Sequence, residues 1–546
     1  MKKPVFKSNF QGQISLFPAR LDQNIAEDSP VRLIDQIVDK LDITDIEKTY
    51  SGGGTSSYHP RMMLKVLFYA YMNNIYSCRK IGKQLLENVH YMWLSGNQTP
   101  DFRTINNFRS LHLKGTINRL FTQVVLMLIE MGYISLQTVY IDGTKMESRA
   151  NRYTFVWRKR VENNKAKLEE KIRKILEMID QGIAQDNLPD DEPPTPIDSD
   201  ELKKRIAQIN RENLSKEDKK AVKTLEEKHL PKLQEYENHL ETLGERNSYS
   251  KTDPSATFMR MKDDHMENGQ LKPAYNLQIG TENQFITHFD FFSNPTDTLT
   301  MVPFFEGWQE RYQEKPNTAV ADAGYGSEEN YEFMEKNDIL AFVKYNYFHA
   351  EQKKKFRENA FIAQNLYYNA KDDYFVCPIG QHLQNKGKTT KTNQHGYKSE
   401  ITRYEAQNCN GCPLRCMCHK AKGNRSIDVN HNLLRLKAIA RELLLSEEGI
   451  KHRKKRCVEP EPVFSHIRYD GAYLRFRHFG LDKVEMDFAL LAIALNLSKL
   501  ARKRAKTGKN PENQPEMQHY FVSTTVLILK YKHKSIKTGL STKAAA

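Results

Sequence analysis

The stretch Thr138-Val139-Tyr140-Ile141-Asp142-Gly143-Thr144-Lys145 constrains the fold of this chain more than any other. Its β-branched and aromatic residues predict a buried strand, and Asp142 interrupts it. A carboxylate in a core strand is costly unless a cation or a hydrogen-bond network satisfies it. Two further acids stand in comparable settings: Asp322 after Thr318-Ala319-Val320-Ala321, and Glu461 in Val458-Glu459-Pro460-Glu461-Pro462-Val463-Phe464. Asp142 and Asp322 are each expected to end an apolar strand, with a glycine within two residues that lets backbone and ligand approach closely. If the three acids meet, they form an open set of hard oxygen donors suited to Mg²⁺ or Mn²⁺. A pair of such ions supports in-line phosphodiester chemistry. Hydrogen-bonded structural aspartates at strand ends would give the same local pattern, and spacing does not separate Glu459 from Glu461 as the third acid.

The elements around these acids predict an architecture. Strands are expected at Pro273–Gly280 and Phe285–Phe292, joined as a hairpin. A helix capped by Asp297 or Thr298 follows, then the strand ending at Asp322, a helix over Glu328–Asn337 and a strand over Ile339–Val343. Strand with acid, hairpin, helix, strand with acid, helix, strand is a ribonuclease-H-like α/β order, in which acids at neighbouring strand ends converge. The catalytic core is assigned to 133–158, 248–345 and 426–506, the last holding Glu461 and an apolar helix over Met486–Leu500. Two insertions divide it. Over 159–247, Val161, Leu168, Ile172, Ile175 and Ile179, then Val222, Leu225, Leu233, Tyr236, Leu240 and Leu243, predict a helical hairpin with a disordered acidic tip at Asp186–Asp200. Over 346–425 the periodicity lapses and cysteines accumulate.

The chain carries 83 Lys and Arg against 68 Asp and Glu, a formal charge of +15 in 546 residues, which favours a polyanionic partner. Residues 31–132 predict short, punctuated helices, preceded by a polar, extended N-terminus over 1–30. With Arg79, Lys80, Arg103 and Arg109 outside, such helices suit DNA contact, although a bundle with a solvated basic face would read alike. The region 507–546 reads as a polar tail with one apolar patch, Tyr520–Leu529. No apolar run is long enough to span a bilayer, and no signal-peptide core follows Met1. An intracellular, cytoplasmic protein with no membrane partner is expected.

Seven cysteines, an odd number, argue against a disulfide framework. Cys409-x-x-Cys412-x-x-x-Cys416-x-Cys418 has zinc-ligand spacing, and with Cys377 upstream the set Cys377, Cys409, Cys412 and Cys416 is expected to form a structural Zn²⁺ site with no open position, the alternative being a reduced thiol cluster without metal. Cys78 and Cys457 read as buried thiols. His265, His288 and His466 stand alone and read as structural or exposed.

At these residues the sequence resembles bacterial insertion-sequence transposases of the DDE type, in the branch called the eleven-eighty-two group. Tyr58-His59-Pro60 through Thr104-Ile105-x-x-Phe108-Arg109 resembles the family's N-terminal helical domain. Tyr140-Ile141-Asp142-Gly143-Thr144-Lys145 resembles its first acid block, and Ala321-Asp322-Ala323-Gly324-Tyr325 its second. Asp253-Pro254-x-Ala256 and Tyr275-Asn276-x-Gln278 resemble its strand blocks, and Arg456-x4-Glu461-x2-Phe464 its third acid block. The resemblance favours Glu461 over Glu459, and has Arg468 where lysine is usual. It implies Asp142, Asp322 and Glu461 as catalytic ligands of two Mg²⁺ or Mn²⁺ ions, with Lys145, Arg456 and Arg468 on DNA. It further implies double-stranded terminal inverted repeats and target DNA as partners, nucleoid association, and at least a homodimer on DNA. A DNA-binding protein without catalysis, inactive or domesticated, is the second class the residues admit.

Overall fold

The computed structural model describes residues 20–51, 53, 56–183, 197–209, 215–261 and 269–507. The expected N-terminal segment up to residue 19, most of the acidic tip from Asp186, His265 and the tail with its apolar patch lie outside these residues. The chain divides into two compact units, one of residues up to Tyr133 and from Met486 onward, the other spanning Ile134–Glu485. The sequence assigned the whole of 426–506 to the catalytic core, so the boundary at Met486 is a correction.

In the unit spanning Ile134–Glu485, eight strands come first: β1 (Thr138–Glu147), β2 (Phe155–Trp157), β3 (Ser248–Ser250), β4 (Thr257–Arg260), β5 (Leu271–Glu282), β6 (Phe285–Phe292), β7 (Thr318–Ala321) and β8 (Leu340–Val343). Six of them form one sheet in the order β4-β5-β1-β7-β8, with β6 also paired to β5. The pairs β6·β5 and β5·β1 are antiparallel, and β1·β7 and β7·β8 are parallel. This is the ribonuclease-H-like order expected from the sequence. The β5–β6 hairpin turns at Asn283 and Gln284, both with positive φ (53° and 62°), the twist that a two-residue hairpin loop requires. Asp253 ties three segments together. Its buried carboxylate accepts from Ser148 Oγ (2.6 Å), Tyr275 Oη (2.9 Å) and the Gly480 backbone N (3.0 Å).

Between β2 and β3 the chain is helical, but it is not a simple two-armed hairpin. One long helix, Arg158–Ile183, is followed by Ser199–Gln208, Lys216–Thr224 and Leu230–Leu243. Leu168, Ile172, Leu176 and Ile179 share a core with Leu202, Ile206, Val222, Leu225 and Leu233, so the heptad-like seam closes within one small bundle. The cysteine-rich region holds a second, five-stranded sheet: β9 (Tyr367–Asn369), β10 (Tyr374–Val376), β11 (His382–Thr392), β12 (Lys398–Ala406) and β13 (Ser426–Val429), paired in sequence order. Nearly every residue of β11 is exposed, so no apolar alternation announced it.

In the other unit, the helices Pro30–Lys40, Pro60–Met72, Cys78–Glu87 and Ile117–Glu130 bury their apolar faces. They are joined there by the part of the helix Leu481–Thr507 that begins at Met486. Arg109, expected at the surface, is buried. Its Nη1 donates to Tyr71 Oη (3.0 Å) and the Tyr76 carbonyl (3.1 Å) and lies 3.9 Å from Asp487 Oδ1. Tyr71 donates to the same Asp487 oxygen. Burial first, then the Asp487 charge, pushes the Tyr71 phenol well above its usual range, so it remains a donor. An isolated buried charge is more costly than a paired one, so Asp487→Ala is expected to destabilise by about 3–5 kcal/mol. The check is the urea-unfolding midpoint of the full chain, set against Asp487→Asn.

Candidate active site

The two aspartates converge because of strand register. β1 and β7 run parallel with Tyr140 opposite Val320, and two residues further on in each strand stand Asp142 and Asp322. Asp322 lies just past the last residue of β7, as expected. Asp142, by contrast, lies within the ten-residue β1, which continues beyond β7 alongside β5. Each carboxylate is oriented by a following glycine. Gly143 N donates to Asp142 Oδ1 (2.9 Å), and Gly324 N donates to Asp322 Oδ1 (2.8 Å). The second oxygen of each is thereby left to face a shared point.

Arg456 occupies that point. This residue ends the helix Glu447–Arg456, and its side chain is 9 % exposed. Its Nη2 lies 3.4 Å from Asp142 Oδ2 and 3.4 Å from Asp322 Oδ2, and its Nη1 lies 3.6 Å from Glu461 Oε1. Three acids from distant parts of the chain therefore gather around one guanidinium. Among the described residues no group of three or more His, Cys, Asp or Glu side chains is placed to hold a metal ion; the Arg456 guanidinium stands where the three acids meet. The donors are all carboxylate oxygens, a set that fits Mg²⁺ or Mn²⁺ better than a softer metal.

Geometry separates the two glutamates. Glu459 is buried, accepts from the Gln284 backbone N at the hairpin turn (2.7 Å) and lies 3.5 Å from Lys455 Nζ. Glu461, on the short helix Pro460–Ser465, is exposed on the Arg456 side. The other cations expected here are placed differently. Arg468 braces β1, with its Nη2 donating to Thr144 Oγ1 (2.5 Å) and the Lys145 carbonyl (3.1 Å). Lys145 is half-buried, and strand alternation sends it to the face opposite Asp142. Arg79, Lys80 and Arg103, in the other unit, are exposed, and Arg79 and Arg103 both lie over the Phe102 ring (5.0 and 5.7 Å).

Cys377, Cys409, Cys412 and Cys418 line one pocket. Cys416 does not line it and is exposed, so Cys418 takes the place expected of Cys416. Cys409 Sγ accepts from the Arg425 backbone N (3.4 Å), and Cys418 Sγ lies 2.8 Å from Arg425 Nη1. Cys457, expected to be buried, is exposed.

A layer behind the aspartates went unnoticed in the sequence. Tyr325 is fully buried and donates to Gln278 Oε1. Its phenol is pushed well above the usual range by burial first, then by Asp297, Asp142 and Asp322. Lys344 is lowered by burial first, then by the Arg456 charge. Asn276 and Gln278, polar residues two apart in the stretch Ala274–Ile279 of β5, carry that layer's signal in the sequence.

Two family models match the chain. One, described as "Transposase domain (DUF772)", covers residues 19–111, and the other, "Transposase DDE domain", covers 376–501. Both are transposase domains. They agree with the resemblance to insertion-sequence DDE transposases, and the DDE match includes Arg456 and Glu461, while Asp142 and Asp322 lie before it. A comparison with curated proteins gives no match. Among the described residues no helix is long and apolar enough to cross a membrane.

The register of β1 against β5 makes one glycine indispensable. A Cβ at Gly143 would stand 2.1 Å from Gln278 Nε2 and 2.9 Å from Asp297 Oδ1. Gly143→Ala is therefore expected to expel the Gln278 amide from a buried network at a cost above about 2 kcal/mol. A lower urea midpoint, with Gly423→Ala as the loop control where a Cβ would meet nothing within 4 Å, is the readout.

Proposed function

We propose that this chain is a transposase of the eleven-eighty-two group. In this reading it binds the terminal inverted repeats of its own element, cleaves the strands by metal-dependent hydrolysis and joins the freed 3′-hydroxyls to target DNA. The observation that carries the reading is the gathering of Asp142, Asp322 and Glu461 around Arg456. Two Mg²⁺ or Mn²⁺ ions held by these three acids would supply the activated attacking oxygen and stabilise the leaving oxygen. The chain's own residues prepare the place. Gly143 and Gly324 fix one oxygen of each aspartate and present the other. Arg456 offsets part of the acids' charge, and its guanidinium can turn to a backbone phosphate as a two-pronged donor. Arg79, Lys80 and Arg103, with Phe102 between two of them, offer a basic face for the repeat DNA. Handling two element ends at once calls for two copies of the chain, a homodimer on DNA in the bacterial nucleoid.

The test is cleavage and strand transfer on a duplex carrying the element's end. Asp142→Ala, Asp322→Ala and Glu461→Ala should each lower the rate by roughly 10³-fold or more while leaving repeat binding intact; Glu459→Gln should keep the chemistry. Selective binding without cleavage by the unaltered chain would instead make it a DNA-binding protein.

A structural Zn²⁺ would be held by Cys377, Cys409, Cys412 and Cys418, the cysteines that line one pocket, with the Arg425 backbone N–H supporting the Cys409 sulfur. Purified protein is expected to carry about one zinc per chain. The metal should be lost in Cys418→Ser and kept in Cys416→Ser, as read by elemental analysis.

A further inference from the structure

Asp297 has the sequence setting of a helix cap, and the structure uses it otherwise. The helix Met301–Tyr312 and the short turn Asp297–Leu299 before it have no side-chain cap. The Asp297 carboxylate turns inward instead. Its Oδ1 accepts from Asn276 Nδ2 (3.0 Å) and Gln278 Nε2 (2.9 Å). Gln278 Nε2 also reaches Asn276 Oδ1 (2.9 Å), and Gln278 Oε1 accepts from Tyr325. Asn276, Gln278 and Tyr325 are all fully buried.

This network ends against the two glycines that orient the catalytic aspartates. A Cβ placed on Gly143 would be 2.9 Å from Asp297 Oδ1. One placed on Gly324 would be 3.7 Å from Asp297 Oδ2 and 3.0 Å from Asp322 Oδ1. Asp297 and Asp322 thus flank the same backbone residue, and no described side-chain hydrogen bond occupies Oδ2 of Asp297. Both aspartate–glycine hydrogen bonds have Asp297 at their back.

We infer that Asp297 is a positioning residue of the metal pocket: a fourth carboxylate that, held by Asn276 and Gln278, backs Gly143 and Gly324 and adds negative charge beside Asp322. This rests on the assignment of Asp142, Asp322 and Glu461 as metal ligands. Two effects act in one direction. Fixing the glycines holds the second oxygens of the aspartates at the point where Arg456 now stands, and the added charge favours a divalent cation over the single charge of Arg456.

Asp297→Asn separates this from a packing role, because the amide keeps the shape and an acceptor for Asn276 and Gln278 while removing the charge. The measurement is Mn²⁺ binding to the full chain without DNA, followed by the electron-paramagnetic-resonance signal of free Mn²⁺. Thermal melting is recorded alongside. Unaltered protein should bind Mn²⁺, Asp142→Ala should lose that binding, and Asp297→Asn should weaken it about 10-fold or more, as loss of a supporting group around a metal does. The melting temperature of Asp297→Asn should stay near that of the unaltered chain. Unchanged Mn²⁺ affinity in Asp297→Asn, with Asp142→Ala still deficient, overturns the inference and leaves the metal-ligand assignment standing. Equal binding by Asp142→Ala and the unaltered chain overturns that assignment, and the inference with it.

Discussion

The candidate site of this protein answers to one electrostatic constraint: three carboxylates share a pocket bridged by a largely buried guanidinium. Like charges at such separations repel strongly where water is scarce. The arrangement stands because Arg456 reaches all three and because backbone N–H groups of Gly143 and Gly324 each take one aspartate oxygen. Parallel pairing of β1 with β7 sets the spacing of the first two acids. The helix ending at Arg456 delivers the cation, and the next short helix brings Glu461. A small, hard divalent ion is a natural successor to the guanidinium, since it offers the same acids more charge in less volume.

Much of this was legible in the sequence. An aspartate inside the Thr138–Lys145 run and another closing Thr318–Ala321 cannot be explained by strand propensity, and the alternation of strands and helices fixed their order on the sheet. Asn283 and Gln284 join β5 to β6 without the usual glycine, yet the flanking apolar runs were enough to show the hairpin. Glu459 and Glu461 could not be told apart by spacing, because both flank Pro460. Only the fold shows one committed to the hairpin turn and the other directed at Arg456.

What stayed hidden has physical reasons. Arg109 looked like one more surface cation, and nothing local reveals that Asp487, far along the chain, buries it. The β9–β13 sheet is thin and mostly solvated, its core limited to residues such as Phe375, Leu383 and Tyr404, so periodicity could not find it. Cys416 and Cys418 are both plausible by spacing; the short helix Arg415–Cys418 turns only the second toward the pocket. Asp297 was masked by its own context, since an acid before a helix reads as a cap.

Arg456 and Glu461 reach the pocket from one short segment, whereas Asp142 and Asp322 are already neighbours in the sheet. Synthesis therefore completes the aspartate pair long before the segment that carries Arg456 and Glu461. When that segment docks, it brings an anion and a cation in the same step, so the third acid is added with no net change of charge. A chain ending ahead of Arg456 would keep two mutually repelling carboxylates and lack both the third acid and the guanidinium that stands between them.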